Sequence, residues 1–341
     1  MLRADAIVSK ALELGYAKCG IVGIEKMEGY AEKLTERIER FPEVRPFSED
    51  FYAFSHLHKE YPWAKSVVIC ARWYGKYRIP ENVKGHIAKY YLTDSRKDRN
   101  SQEYQDSMAF ENFLTSSGLQ TKTERNFGIT SLRWAAMEAG LGIIRKNNFF
   151  YTDQGSWIHL EAFLIDQDLE YIHKNKVKAC PKNCNLCIQS CPTKSLAEPY
   201  MMNRSTCISC LTTWEGWDLT SDPYSKDIGE WIFGCDICQD ACPSNRKAWT
   251  HKEDFPGLEE ICSELSLEQI LSADYEFLET VVQPKFWYIP QGKTWRFKTN
   301  TLNAMKNHWK PEYLSAVQNA CRDDHEEVRR MAEWVLSEIQ E

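Results

Sequence analysis

Apolar positions recur with a helical period near the start of the chain: Ala6, Ile7, Ala11 and Leu14 share one face of residues 4–15. Two short β-branched runs follow, CGIVGI at 19–24 and KSVVICARW at 65–73, and both are of strand type. Residues 104–114 and 131–139 return to the helical pattern, and Gly140 and Gly142 stand where the second of these helices should stop. EAFLID at 161–166 predicts a further strand. The first half of the chain is therefore mixed α/β. From Ser266 the pattern becomes helical: SLEQILSA opens one helix, and QPKFWYIPQGK is a loop by its prolines and glycine. Three amphipathic segments end the chain, at 295–307, 312–322 and 326–339. The last puts Val328, Met331, Val335 and Ile339 on one stripe.

Composition changes this picture in three places. With 341 residues, 43% hydrophobic and 27% charged, the chain has the make-up of a folded protein of two or three domains. Aromatics reach 13%, with 12 Trp, enough for a core and for pockets that take flat ligands. The balance of 42 basic against 49 acidic residues excludes a uniformly cationic surface but leaves room for a local basic face. One such stretch is visible: residues 171–197 hold no Asp or Glu, but carry Lys174, Lys176, Lys178, Lys182 and Lys194. No apolar run approaches the roughly 20 residues that span a bilayer. Asp5, Lys10 and Glu13 lie where a signal peptide would need an apolar block, so a cytoplasmic protein without a membrane segment is expected.

Cysteine is the anomaly. Of 13, nine lie between Cys180 and Cys242, while Cys19, Cys70, Cys262 and Cys321 are scattered and read as small buried side chains. Clustered thiols in a long chain with no export signal point to metal rather than to disulfides. The first block is Cys180, Cys184, Cys187, Cys191-Pro; the second is Cys207, Cys210, then Cys235, Cys238, Cys242-Pro. Each ends in C-x₂-C-x₃-C-P, the tail of the two-cluster ferredoxin run, whose last Cys ligates the other cluster. Three thiolates on a tight loop grip one cubane, and the fourth, a helical turn later, points to its neighbour. Cluster one then takes Cys180, Cys184 and Cys187, with Cys242 crossing over. Cluster two takes Cys235 and Cys238, with Cys191 crossing back and a fourth ligand from Cys207 or Cys210. Zinc would instead call for paired tetrahedral knuckles. The C-x₃-C step from Cys180 to Cys184 is one residue longer than the ferredoxin form. A bare two-cluster ferredoxin needs about 60 residues, so most of this chain must bind a substrate, a partner or a further redox centre.

The sequence resembles the epoxyqueuosine reductase family and, more distantly, the reductive dehalogenases. The likeness rests on ALELGYAKCGIVG near the start, AGLGIIRKNNFFYTDQGSWIHLEAFLID at 139–166, CPTKSLAEPYMMNRSTCISCLT at 191–212 and GCDICQDACPSN at 234–245. It implies an α+β multidomain protein: a nitroreductase-like α/β domain for cobalamin and substrate over 1–172, a ferredoxin-like module for two 4Fe–4S clusters over 173–255, and HEAT-like helices over 256–341. It favours Cys207 over Cys210, because the family has Tyr at the latter place. It implies base-off cobalamin touching Gly142, Ser156, Trp157 and Ser209, with no protein histidine on cobalt, so His159 is left as a structural residue. Electrons from reduced ferredoxin or flavodoxin would pass through both clusters to the cobalt, for reductive deoxygenation or dehalogenation of a substrate. tRNA is an implied partner, and a monomer is expected.

One departure bears on chemistry. Where the family carries an Asp-Ser pair read as proton donor, counting back from Gly140 lands on Asn126-Phe127, and Asn has no titratable proton. A family Glu six residues on falls on Leu132. Asn126, Glu124 and Tyr90 are the candidate catalytic residues, with Tyr91 and Arg125 beside them, since a phenol or a guanidinium can assist at a developing oxyanion. Two other classes compete with the enzyme: an electron-transfer protein with no substrate of its own, and an RNA-binding module using the lysine stretch.

Overall fold

The runs Lys18–Gly23 (β1) and Ser66–Trp73 (β2) are apolar at almost every position because the sheet they build is covered on both faces. The computed structural model describes residues 2–340. Thr121–Thr123 (β3), the short hairpin of Ile143–Ile144 (β4) and Phe150–Tyr151 (β5), and Ile158–Ile165 (β6) complete the strands. The main sheet runs β1-β2-β6-β3 and is antiparallel throughout, with Cys19 opposite Cys70 and Val67 opposite Leu164. Period-two alternation divides it. Cys19, Ile21, Val68, Cys70 and Phe163 face the helices Ala4–Glu13 and Gln102–Ser116 through Ile7, Ala11, Phe110 and Leu114. Val22, Val67, Ile69 and Leu164 face the helix Leu132–Glu138 through Ala135 and Ala136. Small alanines let that helix lie close to the strands. The expected strands and helices of this half are all present.

Beyond β6 the chain returns beside β1, where Ile21 and Tyr171 exchange backbone hydrogen bonds of 3.0 and 2.9 Å. The cysteine region then begins. Its two Cys-Pro blocks each carry a short helix, Leu186–Ser190 and Ile237–Asp240, and the two helices pack together.

The final helices pack on a core that also takes in Tyr74, Leu92 and Trp157 from the first half and Ile208, Leu211 and Phe233 from the cysteine region. The helix Trp295–Asn307 corrects the expectation of an amphipathic segment, for it is buried on nearly every side. Its polar side chains fasten loops instead of facing water. Arg296, wholly buried, donates to the carbonyls of Leu211, Thr213 and Glu215, and the Asn300 amide donates to Thr212 and Ile232 at 3.0 and 2.8 Å. A buried cation without a carboxylate is tolerated where three carbonyl dipoles converge on it. Lys298 pairs with Asp323 at 2.7 Å, also out of water. The segment expected over 312–322 forms a turn at Pro311–Tyr313 and a helix only to Ala320. The stripe on Glu326–Glu338 is as expected at Val328, Met331 and Val335, all buried.

Candidate functional site

The loop between β4 and β5 ties the cysteine blocks to the sheet domain. Lys146, 7% exposed, extends its ammonium into the turn of the first block, donating to the carbonyls of Pro181, Lys182 and Cys184 at 3.3, 2.9 and 2.8 Å. Arg145 donates to the Lys178 carbonyl at 2.8 Å. Asn147 reaches the other way, to the Cys238 carbonyl at 3.2 Å and the Tyr151 hydroxyl at 2.9 Å. Asn148, next in line, is buried with a φ of 63°, in the left-handed region that non-glycine residues rarely hold without cause. A second bracket joins Ser156 to the other block. Its amide donates to Asn245 Oδ1 at 3.0 Å, and its hydroxyl donates to Gln239 Oε1 at 2.8 Å.

These brackets shape a cavity of about 400 Å³. Cys191, Cys207, Cys235 and Cys238 stand on its wall with Ser209 and Asp236, and Tyr90, Tyr91, Arg133, Asn148 and Tyr288 stand there too. A second cavity, of about 510 Å³, adjoins it, since Arg133 and Asn148 line both. The thiols interact. Burial, then the charges of Cys207 and Cys191, push the Cys235 thiol up, and burial with Cys235, Cys207 and Cys191 does the same to Cys238. In the first block burial, then Cys242 and Cys180, raise Cys187. Thiolates gathered in this way need a cationic partner. Four thiols lining one cavity, on the spacing of the two-cluster ferredoxin run, are a donor set that fits an iron–sulfur cluster. Cys210 lies outside the cavity lining, and its burial pushes the thiol up to about 12.

Residues 179–245 match the profile of the 4Fe-4S double cluster binding domain. Epoxyqueuosine reductase of Leadbetterella byssophila is 30% identical over 268 residues, covering 73% of this chain and 82% of that protein. The chain belongs to the epoxyqueuosine reductase family. It is thus an oxidoreductase with a double 4Fe–4S domain. The enzyme of that name from Cellulophaga algicola is 29% identical over 73% of this chain and 81% of its own length, and that of Staphylococcus aureus is 27% identical over 65% and 57%. A crystal structure of epoxyqueuosine reductase with a modified tRNA stem loop superposes with a TM-score of 0.77 at 22% identity, over 99% of this chain and 90% of that one. The enzyme of Streptococcus thermophilus gives 0.73 at 20% identity, over 98% and 89%. Both share the α+β fold. Among the described residues no helix is long and apolar enough to cross a membrane.

The family's candidate residues fall in different places. Tyr90 and Ser209 line the cavity, and Ser209 shares a 3.0 Å hydrogen bond with the Tyr91 hydroxyl. Ser156 stands behind it, on Gln239. Trp157 lies in the core with its ring against Tyr74 and Trp249, and a Cβ on Gly142 would meet the Tyr151 carbonyl oxygen at 2.0 Å, so that glycine allows close backbone approach. Glu124 borders a separate small hollow with Arg125, Leu132 and Glu161. Asn126 is outside both linings; its amide donates to Glu124 at 2.7 Å and its carbonyl accepts from Arg96 at 2.6 Å. His159 lies between the rings of Tyr74 and Tyr90, at 4.4 and 4.5 Å, and burial lowers it to about 3.

Sequence reading missed Lys146, Asn147, Arg96 and Tyr288. The segment IIRKNNFF carries part of the family likeness, but nothing in its spacing shows which carbonyls its side chains reach. Tyr288 stands in QPKFWYIPQGK, whose prolines and glycine signal a loop and nothing of a site.

Proposed function

We propose that this chain is a cobalamin-dependent reductase that removes the oxygen of an epoxyqueuosine-type substrate carried on tRNA. The observation that carries the reading is a cavity lined both by four cluster thiols and by the tyrosines Tyr90, Tyr91 and Tyr288. An electron carrier needs no such space beside its cluster. Cys180, Cys184, Cys187 and Cys242 would hold cluster one; Cys191, Cys207, Cys235 and Cys238 would hold cluster two. The cavity also suits cobalamin. Asn148 Nδ2 and Asp236 Oδ1 are buried on its wall without hydrogen-bond partners, and the rim amides of a corrin could satisfy both. Cobalamin bound there would supply the metal-centred reductant for breaking a carbon–oxygen bond. The sheet domain is then the nitroreductase-like cobalamin domain, and the helices over 256–341 are the HEAT-like segment.

The chain's own residues do the rest. Lys146 and Asn147 hold the two blocks in register, and clusters held there would supply the electrons for the reduction. Lys174, Lys176, Lys178, Lys182 and Lys194 are all exposed, and Lys178 and Lys182 flank Cys180, so they offer a face for an acidic ferredoxin or flavodoxin. Tyr90, Tyr91 and Tyr288 exclude water from the reacting edge.

Anaerobic reconstitution tests this. About eight iron and eight sulfide per chain should bind, and equilibrium dialysis with hydroxocobalamin should give one base-off cobalamin per chain. The loaded protein should then convert epoxyqueuosine in a tRNA stem loop. Intact clusters with no cobalamin bound at tens of micromolar would overturn the reading.

A further inference from the structure

We propose that Tyr288 delivers the proton to the departing oxygen, and that the Arg96 guanidinium stabilises the phenolate left behind. This rests on the reductive reading above. Asn126 has no titratable proton to give, and both Asn126 and Glu124 lie outside the cavity lining. The acid must come from elsewhere. Of the hydroxyls in the lining, Ser195 donates to the Asn203 carbonyl at 2.6 Å, and Tyr91 and Ser209 engage each other at 3.0 Å. Tyr288 is placed differently. Its oxygen accepts an N–H from Arg96 Nη2 at 3.0 Å, which leaves its own hydrogen free for the cavity. A cationic donor on a phenol oxygen favours the phenolate, so the proton leaves more easily. Tyr90 has Arg96 over its ring face instead, with the guanidinium carbon 5.4 Å from the centroid.

Arg96 is fixed for this task. Its Nε and Nη2 donate to the two Asp94 carboxylate oxygens at 2.9 and 2.7 Å, and its Nη1 donates to the Asn126 carbonyl. The Tyr288 ring stacks on Trp287 at 4.2 Å and meets Tyr91 edge-on at 5.2 Å, with Trp214 and Phe127 near 6 Å. Burial raises the Tyr288 phenol, and Arg96 pulls it back against the push of Asp94. The other ionisable groups around it are Tyr90, Tyr91 and Lys285, whose ammonium donates to the Asp94 carbonyl at 3.0 Å. Asp236, the carboxylate in the lining, stands between two cluster thiols with Lys89 at its Oδ2.

The balance is that of a reductive deoxygenation: epoxide plus two electrons and two protons gives alkene and water. The two electrons come from an external reduced iron–sulfur or flavin protein. Tyr288 gives the first proton to the oxygen as one carbon–oxygen bond breaks. It regains a proton from solvent before the second bond breaks and water leaves.

The test uses the holoenzyme and an RNA stem loop carrying epoxyqueuosine. Tyr288→Phe keeps the ring and its packing, so iron content and RNA affinity should stay at the wild-type values. Its kcat should fall by about 10²–10⁴-fold, the usual worth of a general acid. Replacing Tyr288 by 3-fluorotyrosine, whose hydroxyl is more acidic, should move the alkaline limb of the kcat profile to lower pH. The same fluorine gives a titration by nuclear magnetic resonance on the resting protein, and Arg96→Lys should raise its midpoint. A Tyr288→Phe rate within about threefold of wild type, or a fluorine midpoint that Arg96→Lys leaves in place, overturns the proposal. Absence of any turnover by the wild-type protein would instead overturn the reductive reading, and the fluorine titration then decides the role of Arg96 on its own.

Discussion

Lys146, on the loop between β4 and β5, donates to the backbone carbonyl of Cys184 at 2.8 Å from a position almost out of water. With Pro181 and Lys182 it converts the C-x₃-C step, one residue longer than the ferredoxin form, into a closed turn. An ammonium with its donors so engaged is a scaffold part. Lys146→Met should strip that turn of its centre and lower cluster one occupancy, taking iron from about eight to about four per chain. Cluster two should stay, since Asn147 and Ser156 hold its block. Iron analysis and electron paramagnetic resonance of the reduced protein would show this, and full loading of the variant would contradict it.

Cys207 and Cys210 are separated by one helical turn, but only Cys207 lines the cavity with Cys191, Cys235 and Cys238. Cys207→Ser should therefore lose cluster two, while Cys210→Ser should keep both clusters. Cys242→Ala should damage cluster one and Cys191→Ala cluster two, each opposite to the block it belongs to. Loss confined to a variant's own block would refute the interleaved ligation.

Much of this was legible in the sequence for a physical reason. β2 and β6 are long apolar runs, and the helices against them repeat with a clean period, so local pattern and tertiary burial agree. The cluster thiols are legible because iron demands fixed spacing. The remainder depends on partners distant in sequence. Arg296 finds three carbonyls from residues 211–215, some 80 positions away, and no local signal marks a buried cation. The helix 295–307 looks amphipathic for the same reason: its polar side chains seemed to need water, and found backbone instead. Arg296→Met would leave the buried carbonyls of Leu211 and Thr213, and the half-buried one of Glu215, without this donor. At about 1–3 kcal/mol for each unsatisfied group, it should lower the thermal midpoint sharply, and scanning calorimetry would detect it.

Acid stability should report His159. Burial lowers its folded pKa to about 3 from an ordinary value near 6.5. Between these limits the unfolded chain binds a proton that the folded protein refuses. Stability is thus full above about pH 6.5 and falls as the pH drops toward 3. Asp94 acts in a lower window. Burial would raise its carboxyl, but Arg96 outweighs this and holds it at about 2, so its contribution is kept above about pH 4 and lost below. His159→Phe, still packed between Tyr74 and Tyr90, should flatten the decline from pH 6.5 to 4 in urea midpoints. An unchanged slope would mean that His159 is charged in the folded protein.

Asn126→Asp separates two sources for the proton. On the family resemblance Asn126 stands where an acid is expected, and that reading predicts that a carboxyl there raises the rate. The geometry predicts otherwise. The Asn126 backbone is held from both sides, by Glu124 at its amide and Arg96 at its carbonyl, and the residue lies outside the cavity lining. A carboxylate at that position would also stand near the Arg96 guanidinium and compete for the charge that Tyr288 uses. The expected outcome is a rate equal to or below that of the wild type. A gain of tenfold or more, about 1.4 kcal/mol of barrier, would mean that the loop moves Asn126 into the cavity when substrate binds, and that its side chain reaches the reacting oxygen.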